Sequence, residues 1–286
     1  MANLKEIRTR ISSVASTMQI TSAMKMVSAA KLKRAQDAIT RMRPYAEKLR
    51  VVLKNISDSL NDSSDSIYCQ QREVKRVLLV AIASDRGLCG AFNSNIFKAS
   101  EKRIMHYSKQ EVQVYPIGKR SVDYFTDKHP LFKSNLAIFS DLNFKNTEVL
   151  AEEVMNAFVE GAFDKVEIIY NEFKNAATQE VVVQDFIPIP SVESDSSKSA
   201  NYIFEPSVED IVRDLIPKSL KIQFYKSLLD SHASEHGARM TAMHKATDNA
   251  EDLKAALKLT YNRQRQAAIT NEILEIVGGA EALKQG

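Results

Sequence analysis

The 286-residue chain has no tryptophan, and only two cysteines, eight glycines and seven prolines. Cys69 and Cys89 are too few for a disulfide framework and lack metal-ligand spacing, so a reducing, cytoplasmic setting is the default expectation. Scarce glycine and proline fit a helix-rich architecture. No run approaches 18 consecutive apolar residues, so nothing reads as a membrane span. Residues Met1 to Ile7 enter a helical pattern at once, so neither a signal peptide nor an organelle transit segment is expected. No Ser/His/Asp set, carboxylate pair or cysteine nucleophile stands out. The expectation is therefore no catalytic residue, no cofactor and no metal.

What is present is a heptad ladder. One row runs Leu4, Ile11, Met18, Lys25, Leu32, Ile39, Ala46, Leu53, Leu60, and the other Ile7, Val14, Thr21, Ser28, Ala35, Met42, Leu49, Ile56. A 3.5-residue repeat held this long predicts a coiled-coil seam, which requires a partner helix. Only Thr21, Lys25 and Ser28 break the apolar pattern. Lys25 at a seam position costs stability, so that face is expected to point toward something other than the seam.

The net charge of +3 hides an asymmetry. Residues 1–60 carry twelve Lys/Arg against four Asp/Glu (+8), residues 61–204 sixteen against twenty (−4), and residues 205–286 eleven against twelve (−1). The basic stripe is either a solvated face or a surface for an acidic partner, nucleic acid or anionic lipid.

The pattern predicts a first helix over 1–60, a linker over 61–73, an α/β domain over 74–190, a second linker over 191–206 and a long helix over 207–286. The first linker follows from the Ser/Asp-rich stretch Ser57–Ser66, and the second is the Ser-rich break Ser191–Ser199. Within the domain, strands are expected at Val77–Ala83, Val112–Gly118, Val166–Tyr170 and Glu180–Ile187, the last pair open to antiparallel pairing. Helices are expected from a cap at Asn93 or Ser94 to Tyr107, near Arg120–Thr126, and from Asn146 to Gly161. The fold class is thus a mixed α/β chain: a Rossmann-like domain inserted between two antiparallel coiled-coil helices.

The final helix repeats at Met243, Ala246, Ala250, Leu253, Leu257, Thr260, Gln264 and Ala267. Its length of about 115 Å exceeds the roughly 85 Å of the first helix, so about 30 Å must overhang. The overhang, Ile269–Leu283, is largely apolar and must be sheltered by a partner or fray. Arg263 to Gln266 and Glu272 lie where pairing gives way to overhang, and Met24 to Met26 sit at the break in the ladder; these are candidate polar contacts for a partner.

Two motifs carry weaker signals. Asp85–Gly90 sits between a strand and a helix but lacks the third glycine of a dinucleotide fingerprint and the Gly-Lys-Ser/Thr ending of a P-loop. It reads as a tight turn. His232-Ala233-Ser234-Glu235-His236 matches the H-x-x-E-H zinc-protease pattern, but no third ligand or open cleft is evident.

With these residues in view, the chain resembles the gamma-subunit family of bacterial F-type ATP synthases. The likeness lies in Ile7–Val14, Ile20–Leu32, the loop Ser84–Asn93, Ser234–Met240, Ala246–Ala250, Tyr261-Asn262 onward and the signature Ile269–Ala280. It covers both ends and the insert.

The resemblance implies a central rotor shaft, one copy per complex, with no chemistry of its own, for ATP synthesis and hydrogen ion transport. Its partners would be three alpha and three beta subunits, an epsilon subunit and a membrane rotor ring, with no nucleic acid. It would be peripheral, on the cytoplasmic face of a bacterial plasma membrane. Arg265, Gln266, Thr270 and Glu272 would contact a beta-subunit loop, with Met24 and Lys25 nearby. Chloroplast relatives carry a regulatory dithiol insert that is absent here. The alternatives are a coiled-coil adaptor or filament component, a basic nucleic-acid binder and a zinc hydrolase on His232 and His236.

Overall fold

The structure is a computed structural model that describes residues 4–59, 67–176, 178–189 and 208–284. The linker 191–206 and residues 61–66 of the first linker lie outside the described residues. The elements run α1 (Leu4–Ser59), β1 (Arg76–Ile82), α2 (Phe92–His106), β2 (Glu111–Ile117), α3 (Lys119–Phe125), α4 (Phe144–Val159), β3 (Lys165–Phe173), β4 (Gln179–Ile187) and α5 (Val208–Lys284). Both long helices continue through a proline, Pro44 in α1 and Pro217 in α5.

Packing divides the chain into two compact units: Ser28–Arg239, and Met1–Val27 with Met240–Gly286. The first is organised by a four-stranded sheet of order β2-β1-β3-β4. Strand β1 pairs parallel with β2 and β3, whereas β3 and β4 pair antiparallel. Strand β1 is buried on both faces, which accounts for its unbroken apolar run. Its alternate residues serve different layers. Leu78, Val80 and Ile82 join a core with α4 and with Ile216, Leu220, Phe224 and Leu228 of α5. Val77, Leu79 and Ala81 face Tyr107, Ile104, Phe97 and Phe125 of α2 and α3.

The start of α5 is therefore a core helix of the α/β layer. Apolar spacing alone could not separate that role from a coiled-coil seam, because both use positions three and four apart.

Two local details differ from the sequence reading. Neither Asn93 nor Ser94 caps α2; the helix starts at Phe92 after Ala91, with no side-chain cap bond. The Asn93 amide oxygen instead accepts the Ser84 N–H at 3.0 Å, tying the loop closed. Helix α4 begins at Phe144, two residues earlier than expected, because Asn143 caps it by accepting the Asn146 N–H at 2.8 Å. Gly118 is required at its position: its φ is +90°, and a Cβ would collide with the Ala83 carbonyl oxygen.

In the second unit, residues 4–27 of α1 pair with α5. Thr21 meets Thr247 and Lys25 meets His244, so position rises on one helix as it falls on the other, which is antiparallel pairing. On α1 the heptad ladder is confirmed: Ile7 and Thr21 are buried, and Leu4, Ile11, Val14, Met18 and Lys25 are half-buried. On α5 one row of the expected stripe holds and the other is offset by one residue. Met243 and Ala250 are buried as expected, but Leu253, Thr260 and Ala267 are exposed, while Lys254, Tyr261 and Ala268 are half-buried in their place. The row Met243, Ala250, Leu257 and Gln264 stays shielded throughout, and the second row of the seam sits one residue later than the spacing suggested, at Thr247, Lys254, Tyr261 and Ala268.

Candidate partner-binding surface

The surface is best built from the end of α1. With Thr21 opposite Thr247, Leu4 lies level with about residue 264, and α5 continues roughly 30 Å further to Lys284. Every residue from Ile269 to Ala280 is exposed. Among them Ile276 is 71% exposed, Leu274 63% and Ile273 55%. A single helix showing this much branched aliphatic surface has an interface composition on one side of a polar boundary.

That boundary holds the residues singled out from the sequence. Arg265, Gln266, Thr270 and Glu272 are all exposed. At 100° per residue, Arg265 and Glu272 share one stripe with Ile269 and Ile276, and Gln266 and Thr270 lie on the adjoining stripe with Val277. The Thr270 hydroxyl donates to the Gln266 carbonyl at 2.9 Å, so its side chain is folded against its own helix.

Met24 and Lys25 do not join this group. They are half-buried at the level of His244, which is about 32 Å along α5 from Arg265. The structure thus separates the six residues into two levels of the same helix pair.

The break in the α1 ladder is also not turned outward, as the sequence had suggested. Two of its three polar residues, Thr21 and Lys25, are met by polar residues of α5. Thr21 Oγ1 lies 2.8 Å from Thr247 Oγ1, and Lys25 Nζ lies 3.3 Å from His244 Nδ1. His244 and Thr247 were missed as partners of Lys25 and Thr21, although both are polar residues about one turn apart on α5.

The other motifs resolve into supports. In the loop Ser84–Asn93, Arg239 donates to the carbonyls of Arg86 (2.8 Å) and Gly87 (3.3 Å). The turn thus presents carbonyl oxygens to a guanidinium, the opposite of the N–H cradle that an anion needs. Leu88 at φ +62° and Gly90 at φ +60° supply the tight reversal.

In the H-x-x-E-H stretch, His232 Nε2 and His236 Nε2 lie 3.1 Å apart and bond to each other. Glu235 is held by Arg239 Nη1 at 2.6 Å, and the His232 ring stacks on Phe139. Among the described residues no group of three or more His, Cys, Asp or Glu is placed to hold a metal ion. Burial, with the charges of Lys31 and Arg239 nearby, depresses His232 to about 4. Burial, then His232 and Arg239, depresses His236 to about 3.

A buried carboxylate the sequence gave no sign of is Glu167 on β3. Arg103 of α2 donates to both its oxygens at 2.6 Å, Tyr107 donates its hydroxyl, and Lys165 lies 3.0 Å away. Burial alone would raise its pKa, but the donors from Arg103, Tyr107 and Lys165 outweigh it and hold the group at about 2. The cluster fixes α2 on the sheet. No helix among the described residues is long and apolar enough to cross a membrane.

Comparison with known proteins places these features. The family profile described as ATP synthase matches residues 3–283. The ATP synthase gamma chain of Flavobacterium johnsoniae is 62% identical over 284 residues, covering 99% of this chain and 99% of that one. The ATP synthase gamma chain of Amoebophilus asiaticus is 48% identical over 290 residues, covering 100% of both. Among solved structures, the central stalk and c-ring structure of the Tetrahymena thermophila mitochondrial ATP synthase contains a chain 28% identical to this one. That chain aligns with a TM-score of 0.61 over 79% of this chain and 99% of its own length. A rotor chain of the Euglena gracilis mitochondrial ATP synthase shares the fold at 20% identity, with a TM-score of 0.67 over 93% of this chain and 98% of its own.

Proposed function

The chain belongs to the ATP synthase gamma-chain family, and from that premise we infer that it is the central rotor shaft of an F-type ATP synthase. It couples ion flow through a membrane sector to ATP synthesis and hydrolysis on other subunits, and it contributes no catalytic group itself. The observation that carries this reading is the helix Ile269–Ala280, apolar and wholly exposed past the end of its pairing helix. A rotor tip needs that surface: apolar contacts resist water without fixing one angular position, so the helix can turn inside a sleeve.

The sleeve would be a ring of three alpha and three beta subunits around one copy of this chain. Arg265, Gln266, Thr270 and Glu272 supply polar contacts where the tip enters, and Met24 and Lys25 form a second contact level lower on the pair. The α/β domain, 74–190, would serve as a foot on the membrane rotor ring beside an epsilon subunit. This puts the chain on the cytoplasmic face of a bacterial plasma membrane, peripheral to it. An asymmetric shaft presents a different face to each of three otherwise equivalent sites and so holds them in different states.

The test is ATP hydrolysis by purified alpha and beta subunits with and without this chain. A large gain and a stable complex, with no hydrolysis by the chain alone, is the expected result. No complex and no gain would overturn the reading.

A further inference from the structure

The polar break in the helix pair contains a nitrogen with two incompatible neighbours. His244 Nδ1 lies 3.3 Å from Lys25 Nζ on α1 and 3.3 Å from Asp248 Oδ1 one turn along α5. An ammonium only donates and a carboxylate only accepts. The ring nitrogen can accept from Lys25 only when it carries no proton, and can bond Asp248 only when it does. A neutral imidazole can take either form by choosing its tautomer, but the protonated ring has a proton on both nitrogens and is confined to Asp248.

We propose that His244 is a proton-responsive joint in the helix pair, which holds Lys25 against α5 when its Nδ1 is bare and releases Lys25 when the ring is protonated. Acidification then exchanges a bond between the helices for one along α5, and it adds a positive charge beside an ammonium. The released ammonium is free to seek an acidic group outside the pair.

The surroundings leave few competing charges. Between Arg10 and Lys31, α1 carries only Lys25; between Arg239 and Glu251, α5 carries only His244, Lys245 and Asp248. The side chains of His244 and Asp248 are 57% and 58% exposed, so water and protons reach them without unfolding. Thr21 and Thr247, one turn away, lie with their hydroxyl oxygens 2.8 Å apart, and neither titrates in this range, so they keep the helices in register. The joint does not depend on the rotor reading, because both of its states are defined within this chain.

The experiment is a pH titration of the full-length chain, selectively 15N-labelled at histidine and lysine and followed by NMR. In the wild type, Nδ1 of His244 should be unprotonated at pH 8, and the Lys25 ammonium signal should move with the His244 titration. Lys25→Gln should raise the His244 midpoint and Asp248→Asn should lower it, each by about half a pH unit or more, roughly threefold in proton affinity. In His244→Asn, the Lys25 signal should no longer respond across that range. Coincident midpoints in the wild type and both variants would overturn the proposal, as would an Nδ1 protonated throughout or a Lys25 signal indifferent to the titration. His244 and Asp248 are exposed, Lys25 is half-buried and its replacement by Gln stays polar, and none of the three substitutions touches an apolar residue of the seam, so the chain remains folded for the measurement.

Discussion

Thr21 and Thr247 face each other across the two terminal helices with their hydroxyl oxygens 2.8 Å apart, and each also reaches a carbonyl of its own helix, Met18 and Met243. A coiled-coil seam has thus accepted a polar layer and satisfied it from within. Such a layer fixes register, because sliding one helix would leave both hydroxyls against apolar neighbours.

Thr21→Val should therefore cost about 1 kcal/mol and Thr247→Val a similar amount, while the double substitution should cost less than the two together. Urea unfolding of the four chains gives the coupling directly. Additive costs would mean that the pair is incidental.

Glu167 should be far more sensitive. Glu167→Gln removes the charge that Arg103 and Lys165 enclose, and a loss of about 3 kcal/mol is expected. Since the folded carboxylate is held at about 2, the unfolded chain binds its proton first as pH falls. Its contribution is fully present above the ordinary carboxylate range and is lost as pH drops toward 2. Thermal melts of wild type and variant should converge at low pH.

The histidine pair makes a prediction nearer neutrality. His232 and His236 are depressed to about 4 and about 3, so the unfolded chain takes up protons below about pH 6.5 that the folded chain refuses. Stability from these groups is present above that value and lost on acidification, by about 2 kcal/mol at pH 5 for one imidazole. His232→Phe with His236→Gln should flatten the melting temperature between pH 7 and 5; an unchanged slope would show that other groups set it.

Arg265→Ala and Gln266→Ala should lower ATP turnover of the assembled complex without shifting the chain's melting temperature, since both residues are exposed. Full turnover in both variants would remove them from the contact surface.

Ile276→Glu should separate folding from assembly still more clearly. At 71% exposure it should change the stability of the isolated chain by less than about 0.5 kcal/mol. Recovery of the complex from size-exclusion chromatography should fall sharply. If the isolated chain unfolds instead, the residue is packed internally.

Much of this was readable from periodicity. The α1 ladder from Leu4 to Met42 predicted which positions would be shielded, and the strands fell within a few residues of their places because buried parallel strands are short, continuous and apolar. What periodicity could not reveal was partnership. It placed Lys25 in the seam but not His244 opposite, and it put the second row of the α5 stripe on Leu253, where Lys254 is the shielded residue. Glu167 lay in an apolar run with nothing to distinguish it from a solvated residue, because its partners Arg103 and Tyr107 are 64 and 60 residues away in sequence. What the exposed Arg265, Gln266, Thr270 and Glu272 meet is set by surfaces outside this chain, so its sequence alone cannot name them.

The bare aliphatic helix beyond Arg265 also bears on supply. If the inferred sleeve of ring subunits shelters it, then until that sleeve closes a newly made chain carries a sticky end that a second copy or a chaperone can capture as readily as those subunits can. Production in step with the ring subunits keeps that interval short, and surplus copies should be the first component of the assembly to precipitate or be degraded.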